Sequence, residues 1–237
     1  MKDTIQIGPH TIGKDQPCYV IAEAGVNHNG DTELAKELVL AGKQTGAQCV
    51  KFQTFKADRI VVDDAPKAEY QLHTTDPAES QKAMLKKLEL PFEGYQEVMQ
   101  LCDQEGVTFF STAYSFEDVD FLDDLGVAAF KFASIHIFEP ALLRYAAKKG
   151  KPMIVSTGMA TLDEVRIGLE AIRETGNEDV VLLQCTTNYP SRAEDANLRA
   201  MVTMGEELDV LVGYSDHTQT DTACIASIAL GACMIEK

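Results

Sequence analysis

Two lysines lie inside runs of apolar, β-rich sequence. Lys51 falls within Cys49–Phe55, and Lys131 falls within Ala129–Ile135. A buried ammonium group is costly unless it has a partner or a ligand, and two such groups together can bind a phosphate or a carboxylate. The whole chain carries a formal net charge of −16 at pH 7. Any phosphorylated ligand would therefore need such a local concentration of cations.

Hydroxyl and amide side chains stand at the ends of similar runs. Lys51 and Gln53 are two residues apart, as are Ser215 and His217, and residues two apart share one face of a strand. A single serine in such a place is more often satisfied by a loop backbone. Several hydroxyls around two lysines instead favour an anion site, because hydroxyls give directional hydrogen bonds to phosphate or carboxylate oxygens. The ends of the runs carry Ser111, Thr112, Ser134, Ser156, Thr157, Thr186, Thr187, Asn188, Tyr189 and Ser215.

Three further residues could take part in chemistry. His217 follows Asp216 at the end of a run, where a neutral imidazole could bind a divalent metal; a histidine satisfied within a loop is the alternative. Glu23 is the one carboxylate in the first run, and it is either a metal-associated base or the partner of a lysine. Cys185 also ends a run, but no histidine partner is evident along the sequence, so we expect no nucleophilic role for it.

These residues fall on a regular alternation of β-rich runs and helical segments. Such an alternation predicts βα units, and eight strands favour a closed (β/α)8 TIM barrel, in which catalytic groups gather at the carboxyl ends of the strands. Only seven helical segments are found, so we expect the eighth helix to be missing from this chain. The predicted strands are Cys18–Ala24, Cys49–Phe55, Thr108–Ala113, Ala129–Ile135, Met153–Thr157, Val180–Thr186, Leu211–His217 and Ala232–Glu236. The predicted helices are Thr32–Thr45, Phe92–Glu105, Phe116–Leu125, Pro140–Lys149, Leu162–Thr175, Asp195–Leu208 and Thr220–Leu230.

Two segments interrupt the alternation. Residues 1–17 hold three isoleucines around two glycines, which predicts a β-hairpin that closes the floor of a barrel spanning 18–237. Residues 56–91 form a long insertion after the second strand. In a barrel, such a loop lies at the mouth and usually serves the active site. The insertion contains Lys67, Tyr70, Gln71 and Thr74.

Composition narrows the classes of function. Hydrophobic residues make up 45% and charged residues 24%, as in an ordinary globular protein. The acidic balance disfavours nucleic acid and anionic lipid as partners. The apolar stretch Cys224–Ile235 falls short of the ~20 residues that a membrane span needs, and Met1–His10 lacks the apolar core of a signal peptide. Six cysteines without a C-x-x-C pair predict reduced thiols in a cytoplasmic protein.

Seven stretches resemble, in chain order, the sialic acid synthase family. A single short motif is weak, but an ordered set across all eight predicted strands is specific. The resemblance implies a (β/α)8 barrel that condenses phosphoenolpyruvate with an N-acetylated mannosamine-type sugar, giving a nonulosonic acid and phosphate, with Mn²⁺ or Mg²⁺ as cofactor. The stretches are IAEAGVNHNG at 21–30, VKFQT at 50–54, FST at 110–112, KFAS at 131–134, VSTGM at 155–159, CTTNYP at 185–190 and GYSDHT at 213–218.

By position, the resemblance also implies roles for single residues. Glu23 and Gln53 would lie close to the reacting atoms, Tyr189 would contact the sugar, and His217 would be a metal ligand. Together with the two lysines, Glu23 and Gln53 form the expected catalytic set. Two alternatives stay open: another aldol-type barrel that uses phosphoenolpyruvate or a phosphosugar, and a non-catalytic barrel that binds a phosphorylated metabolite. Phosphoenolpyruvate would be held by Lys51, Thr112, Lys131, Ser134, Ser156, Thr187 and Ser215.

The sequence departs from the family pattern at two places. His136 stands where the family usually offers the sugar an acidic residue, so we expect His136 to contact a sugar other than plain N-acetylmannosamine. The family pattern continues beyond Lys237 with a second metal histidine, an eighth helix and a small antifreeze-like domain that binds the sugar across a homodimer. We expect these parts to be absent from this chain, and the 237 residues alone to be inactive or nearly so.

Overall fold

Eight parallel strands close into a barrel in the computed structural model, which describes residues 2–68, 71–72 and 75–237. Each barrel strand pairs with the next along the chain, and the last pairs with the first. The predicted (β/α)8 barrel is therefore confirmed. The strands are β1 (Thr4–Ile7), β2 (His10–Gly13), β3 (Tyr19–Gly25), β4 (Cys49–Thr54), β5 (Thr108–Ala113), β6 (Phe130–Phe132), β7 (Met153–Ser156), β8 (Val180–Cys185), β9 (Leu211–Ser215) and β10 (Met234–Glu236).

Helices connect consecutive barrel strands on the outside. In the described part of the chain, each of the seven predicted helices is present as a crossover, and two short helices, α2 and α3, lie between β4 and β5. Two predicted starts are wrong. The helix before β9 begins at Leu198 and not at Asp195, because Asn197 adopts a left-handed backbone with φ of 46°. The helix before β10 begins at Thr222 and not at Thr220. The helices are α1 (Thr32–Gln44), α2 (Ala57–Ile60), α3 (Gln81–Lys86), α4 (Phe92–Glu105), α5 (Phe116–Leu125), α6 (Pro140–Ala147), α7 (Leu162–Arg173), α8 (Leu198–Leu208) and α9 (Thr222–Ala229).

The inward positions of the strands change from apolar to polar towards their carboxyl ends. Cys49 belongs to the apolar cluster inside the barrel, and Lys51, two residues further along β4, lines a cavity above it. The same step leads from Met234 to Glu236 on β10. The strand period therefore builds an apolar floor and a polar layer from single strands. The other pairs of this kind are Ile21 and Glu23, Phe110 and Thr112, Ala129 and Lys131, Ile154 and Ser156, and Leu183 and Cys185.

The predicted N-terminal hairpin is also present. β1 and β2 pair antiparallel, and Ile5, Ile7 and Ile12 are buried. These isoleucines belong to the same apolar cluster as the inward residues of the barrel floor. The hairpin therefore closes the amino-terminal end of the barrel and leaves the carboxyl end open.

The fourth barrel strand is shorter than predicted. The run Ala129–Ile135 was expected to be one strand, but β6 ends at Phe132 and a 3₁₀ helix follows at Ser134–Phe138. The backbone N–H of His136 donates to the carbonyl of Ala133 (3.0 Å), which closes a local turn in place of a strand pairing. The strand period therefore does not apply to Ser134 or His136.

The insertion at 56–91 is tied to the outside of the barrel. Arg59 donates to the buried carboxylate of Asp118 at 2.9 Å. Lys67 bonds within the insertion, to Thr75 Oγ1 at 2.9 Å. Among the described residues of the insertion, including Gln71, none lines the cavity, so the expected contribution to the site is not seen there. Tyr70 and Thr74 lie outside the described residues. No helix in the described ranges is long and apolar enough to span a membrane.

Candidate active site

A cavity of about 270 Å³ opens at the carboxyl ends of the barrel strands. Ten of the twelve predicted site residues line it; Thr187 and His136 do not. The ten are Glu23, Lys51, Gln53, Thr112, Lys131, Ser134, Ser156, Tyr189, Ser215 and His217. The residues that sequence reasoning did not assign to the site are Tyr114, Ala133, Cys185, Asp216, Glu236 and Lys237.

Two lysines and two glutamates form an ion network at the base of this cavity. Lys51 Nζ is ion-paired with Glu23 and lies 3.9 Å from Glu236 Oε1. Lys131 Nζ lies 3.4 Å from Glu236 Oε2. The two lysine side chains are only 4% and 2% exposed. Glu236 therefore bridges both buried lysines, which explains how an apolar barrel tolerates them.

Burial and charge shift the pKa values of the two carboxyls in opposite directions. Burial raises the pKa of Glu23, in spite of the opposing charge of Lys51. Burial acts the same way on Glu236, but the charges of Lys131 and Lys51 outweigh it and lower the pKa of Glu236. Glu236 is thus the firmly ionised carboxylate, and Glu23 is the one that takes up a proton more readily.

The two lysines differ in the same way. Burial lowers the pKa of Lys131, and the attraction of Glu236 does not fully offset it. Burial also opposes the charged form of Lys51, but Glu23 and Glu236 together raise the pKa of Lys51. An anion entering the cavity would add to the stabilisation of both ammonium groups.

Hydroxyl groups surround the network. Thr112 Oγ1 accepts a hydrogen bond from Lys51 (3.3 Å), and Ser156 Oγ accepts one from Lys131 (2.9 Å). Ser215 Oγ donates to the bridging carboxylate at 3.2 Å. These hydroxyls can all reorient towards oxygens of a bound anion.

Ser134, which follows β6, and Thr187, which follows β8, both contact Gly158 in the loop after β7. Ser134 Oγ accepts a hydrogen bond from the backbone N–H of Gly158 at 2.9 Å. A Cβ atom at Gly158 would come within 2.6 Å of Thr187 Cγ2. The segments that follow β6, β7 and β8 can therefore approach this closely only with glycine at position 158. Thr187 thus packs beside the site but does not line the cavity.

His217 lies just beyond β9, which ends at Ser215 and not at His217 as predicted. Its Nδ1–H donates to the carbonyl of Thr186 (2.7 Å), which leaves Nε2 with a lone pair, and its ring packs on Tyr189 with centroids 4.2 Å apart. Cys185 Sγ lies 4.0 Å from the same Nδ1. This histidine was not evident along the sequence, because β8 and β9 are neighbours in the barrel although the two residues are far apart in the chain. The expectation of no nucleophilic role for Cys185 stays a prediction.

The contact between Cys185 and His217 shifts the pKa values of both side chains. Burial alone would raise the pKa of the Cys185 thiol, but the hydrogen bond and charge of His217 outweigh it and lower that pKa. Burial likewise opposes protonation of His217, and its contact with Cys185 outweighs burial and raises the pKa of the imidazole.

A buried carboxylate fixes the loop that follows β9. The Asp216 side chain is 0% exposed and accepts hydrogen bonds from Tyr214 Oη (3.1 Å), from the backbone and side chain of Thr218 (2.9 and 3.1 Å) and from Cys224 Sγ (3.2 Å). Lys237 Nζ completes the set at 2.6 Å. With its oxygens used in this way, Asp216 positions the loop and is not open to a metal.

The residues around His217 fit a divalent metal in part. A metal-binding imidazole usually donates its other ring N–H to a carbonyl or a carboxylate, as His217 does. The acidic side chains in the same cavity are Glu23 and Glu236, and each is already paired with a buried lysine: Glu23 Oε2 with Lys51, and Glu236 Oε2 with Lys131 at 3.4 Å. Within 2–68, 71–72 and 75–237, however, no cluster of three or more His, Cys, Asp or Glu side chains is arranged for a metal.

An aromatic wall borders the cavity at β5 and β6. Tyr114 Oη donates to Gln53 Oε1 (3.2 Å), and Gln53 Nε2 donates to Glu23 Oε1 (3.4 Å). His136 packs against the Tyr114 ring, with centroids 5.2 Å apart, and its Nδ1 bonds to Glu139 (2.9 Å). Burial lowers the pKa of His136, so the ring is neutral at pH 7. His136 therefore lies behind Tyr114 and does not line the cavity, where a residue in direct contact with the sugar was expected.

The closed parallel strands define an α/β barrel with a cavity of paired charges and hydroxyls at the carboxyl ends of its strands. Comparison with known proteins makes this specific: the NeuB family model matches residues 38–237, and the chain belongs to this family. This confirms the family that the sequence motifs indicated.

Individual relatives agree with the family assignment. The chain is 45% identical to N,N'-diacetyllegionaminic acid synthase of Legionella pneumophila and 43% identical to that of Campylobacter jejuni. These matches cover 95% and 92% of this chain but only 64% and 66% of the relatives, so the chain spans about two thirds of their length. The crystal structure of N-acetylneuraminic acid synthetase from Leptospira borgpetersenii, in complex with citrate, superposes with a TM-score of 0.85 at 28% identity, over 99% of this chain and 77% of that one.

Proposed function

We propose that the protein containing this barrel condenses phosphoenolpyruvate with an N-acetylated mannosamine-type sugar, giving a nonulosonic acid and phosphate. The observation that carries the proposal is the convergence of Lys51 and Lys131, both buried, on one cavity with Thr112 and Ser156. Such a site matches a small reactant that carries both a phosphate and a carboxylate. The names of the relatives supply the reaction class.

In this proposal the lysines and hydroxyls hold phosphoenolpyruvate so that its enol carbon faces the sugar aldehyde. The benefit is mainly orientation and preset electrostatics, since the ammonium groups and hydroxyls are already in place. After the carbon–carbon bond forms, positive charge develops at the adjacent carbon, water adds there and phosphate leaves. Glu23, whose pKa is raised by burial, is suited to hold or move the proton of that water.

We further propose that His217 is a ligand of a divalent metal, Mn²⁺ or Mg²⁺. Such an ion would supply Lewis-acid polarisation of the aldehyde. The support from this chain is the imidazole of His217, whose Nδ1–H donates to the carbonyl of Thr186 and so leaves Nε2 for a metal. A cytoplasmic location is proposed as well, which the free state of the six cysteines supports. The homodimer and the additional antifreeze-like domain stay predictions.

The preferred sugar is proposed to be a diamino or 6-deoxy relative of N-acetylmannosamine. Two relatives are named for an acid that carries two N-acetyl groups. Phosphoenolpyruvate brings no nitrogen, so both groups must come from the sugar. The neutral His136, which stands where the family pattern usually has an acidic residue for the sugar, points in the same direction.

A substrate panel tests both the reaction and the sugar. The full-length gene product is expected to form a nonulosonic acid from phosphoenolpyruvate, with kcat/KM at least about tenfold higher for a diacetamido-6-deoxy sugar than for N-acetylmannosamine; one extra contact worth ~1.4 kcal/mol is enough for this. Product mass and released phosphate are the readouts. N-acetylmannosamine as the best substrate would refute the sugar assignment alone. No product from any hexosamine would refute the synthase and favour a barrel that only binds a phosphorylated metabolite.

A further inference from the structure

Tyr114 lines the cavity but has no role in the proposed reaction. It follows β5, whereas His217 follows β9. In the closed strand order these two strands are four places apart in a ring of eight, which puts them on opposite sides of the barrel. The two side chains therefore border the cavity from opposite walls, with the lysine network between them.

The Tyr114 hydroxyl has a fixed direction. It donates to Gln53 Oε1 at 3.2 Å, and the amide of Gln53 is itself oriented because its Nε2 donates to Glu23 at 3.4 Å. The backbone carbonyl of Gln53 accepts from Tyr95 Oη at 2.7 Å, which fixes this part of β4 further. A phenol group both donates and accepts hydrogen bonds, so a Tyr114 hydroxyl held in this direction at the cavity wall is a group that a polar ligand can contact.

Two aromatic rings pack against the Tyr114 ring. Phe55 contacts it edge-on with centroids 5.8 Å apart and planes at 72°, and His136 does so at 5.2 Å and 79°. His136 is itself only 2% exposed and is held by Glu139 at 2.9 Å. Rings packed in this way lose little entropy on binding a ligand, and this is the arrangement that a recognition residue needs.

We propose that Tyr114 binds the distal half of the sugar, the carbons furthest from the aldehyde, and so sets sugar specificity. This inference rests on the proposed function, which puts the aldehyde next to phosphoenolpyruvate and His217. An open-chain sugar extends from there across the cavity to the wall of β5. The candidate sugars share their first carbons and differ in the distal half, so the residue that contacts this half separates them. His136 acts through Tyr114 as a positioning residue.

Steady-state kinetics of the Tyr114→Phe variant, in the full-length protein, test the assignment. The ring and its packing are kept, and only the hydroxyl is lost. We expect the KM of the preferred sugar to rise about tenfold, with kcat changed by less than about threefold. The KM of phosphoenolpyruvate should stay the same, and the preference between the diacetamido sugar and N-acetylmannosamine should narrow. Tyr145→Phe is the matched control, because that hydroxyl bonds to Asp120 outside the barrel at 2.8 Å. The control should leave all four parameters unchanged.

Three outcomes contradict the assignment and are distinct. Turnover by the unmodified protein, together with an unchanged sugar KM and an unchanged preference in Tyr114→Phe, would overturn the role of Tyr114 and leave the synthase intact. Absence of product from the unmodified protein with every sugar would overturn the proposed function, and this inference would fail with it. A parallel rise in the KM of both substrates with a lowered Tm would mean that the hydroxyl serves the fold, and would also overturn the assignment.

Discussion

Replacing Lys131 by methionine is expected to weaken phosphoenolpyruvate binding at least tenfold, or ~1.4 kcal/mol. The side chain is 2% exposed and donates to Ser156 at 2.9 Å within the cavity. Methionine keeps the length and the apolar contacts of the lysine stem and removes the charge that would pair with the phosphate or the carboxylate. Isothermal calorimetry with phosphoenolpyruvate alone measures the effect without turnover.

Lys149→Met is the matched control for this variant. Lys149 pairs with Asp120 and Asp123 on the outside of the barrel, at 2.7 and 3.3 Å. The same chemical change there should leave the affinity for phosphoenolpyruvate unaltered. Equal affinities of Lys131→Met and the unmodified protein, with both folded by circular dichroism, would show that Lys131 is not part of the anion site.

Replacing Glu236 by glutamine is expected to have two opposite effects. Glu236 lies 3.4 Å from Lys131 and 3.9 Å from Lys51, so without a ligand it provides the buried counter-charge. Its loss should lower the free energy of unfolding by about 3 kcal/mol. An incoming anion competes with this carboxylate for the lysines, so phosphoenolpyruvate should bind about tenfold more tightly to the variant. Denaturant unfolding and calorimetry with a chelator present give the two values.

Glu174→Gln serves as the control for glutamate replacement. Glu174 is 61% exposed and pairs with Arg144 on the barrel exterior at 2.6 Å, so stability should change by less than about 1 kcal/mol. Affinity for phosphoenolpyruvate should not change at all. If Glu236→Gln binds phosphoenolpyruvate more weakly than the unmodified protein does, Glu236 does not compete for the lysines and must contribute to anion binding in some other way.

The barrel could be predicted from the sequence because its signals are local and repeated. Each strand is a short apolar run, and each crossover helix shows its own periodicity, so the largest errors occurred where local backbone conformation intervened. At β6 a 3₁₀ turn replaced the expected continuation of the strand to Ile135. At α8 the left-handed Asn197 delayed the start of the helix. The pattern of apolar residues along the sequence indicates neither the 3₁₀ turn nor the left-handed residue.

The candidate site was predictable where a polar residue interrupts an apolar run. That signal found Lys51, Lys131 and Glu23. It could also have found Glu236, the only carboxylate of β10, if the same argument had been applied to the last strand. The contact between Cys185 and His217 could not be found in this way, because it depends on which strands are neighbours in the barrel.

Tyr114 and His136 show a second limit of sequence reasoning. Tyr114 is the first residue after the predicted strand Thr108–Ala113, where the chain enters a loop and the strand period no longer predicts which way a side chain points. Its role follows only from the hydrogen bond to Gln53 and from its place across the barrel from His217. His136 was expected to contact the sugar, and its place behind Tyr114 results from the turn that ends β6.

³¹P NMR of a single reaction mixture is the most direct test of whether this barrel joins phosphoenolpyruvate to a sugar aldehyde. The full-length protein, phosphoenolpyruvate and Mn²⁺ or Mg²⁺ are followed first without a sugar and then with a diacetamido or N-acetylated mannosamine-type sugar. We expect a stable phosphoenolpyruvate signal before the addition. After it, that signal should convert to inorganic phosphate, with one nonulosonic acid, identified by mass, formed for each phosphate released. Phosphate release that does not depend on the sugar, or a phosphorylated sugar product, would contradict it.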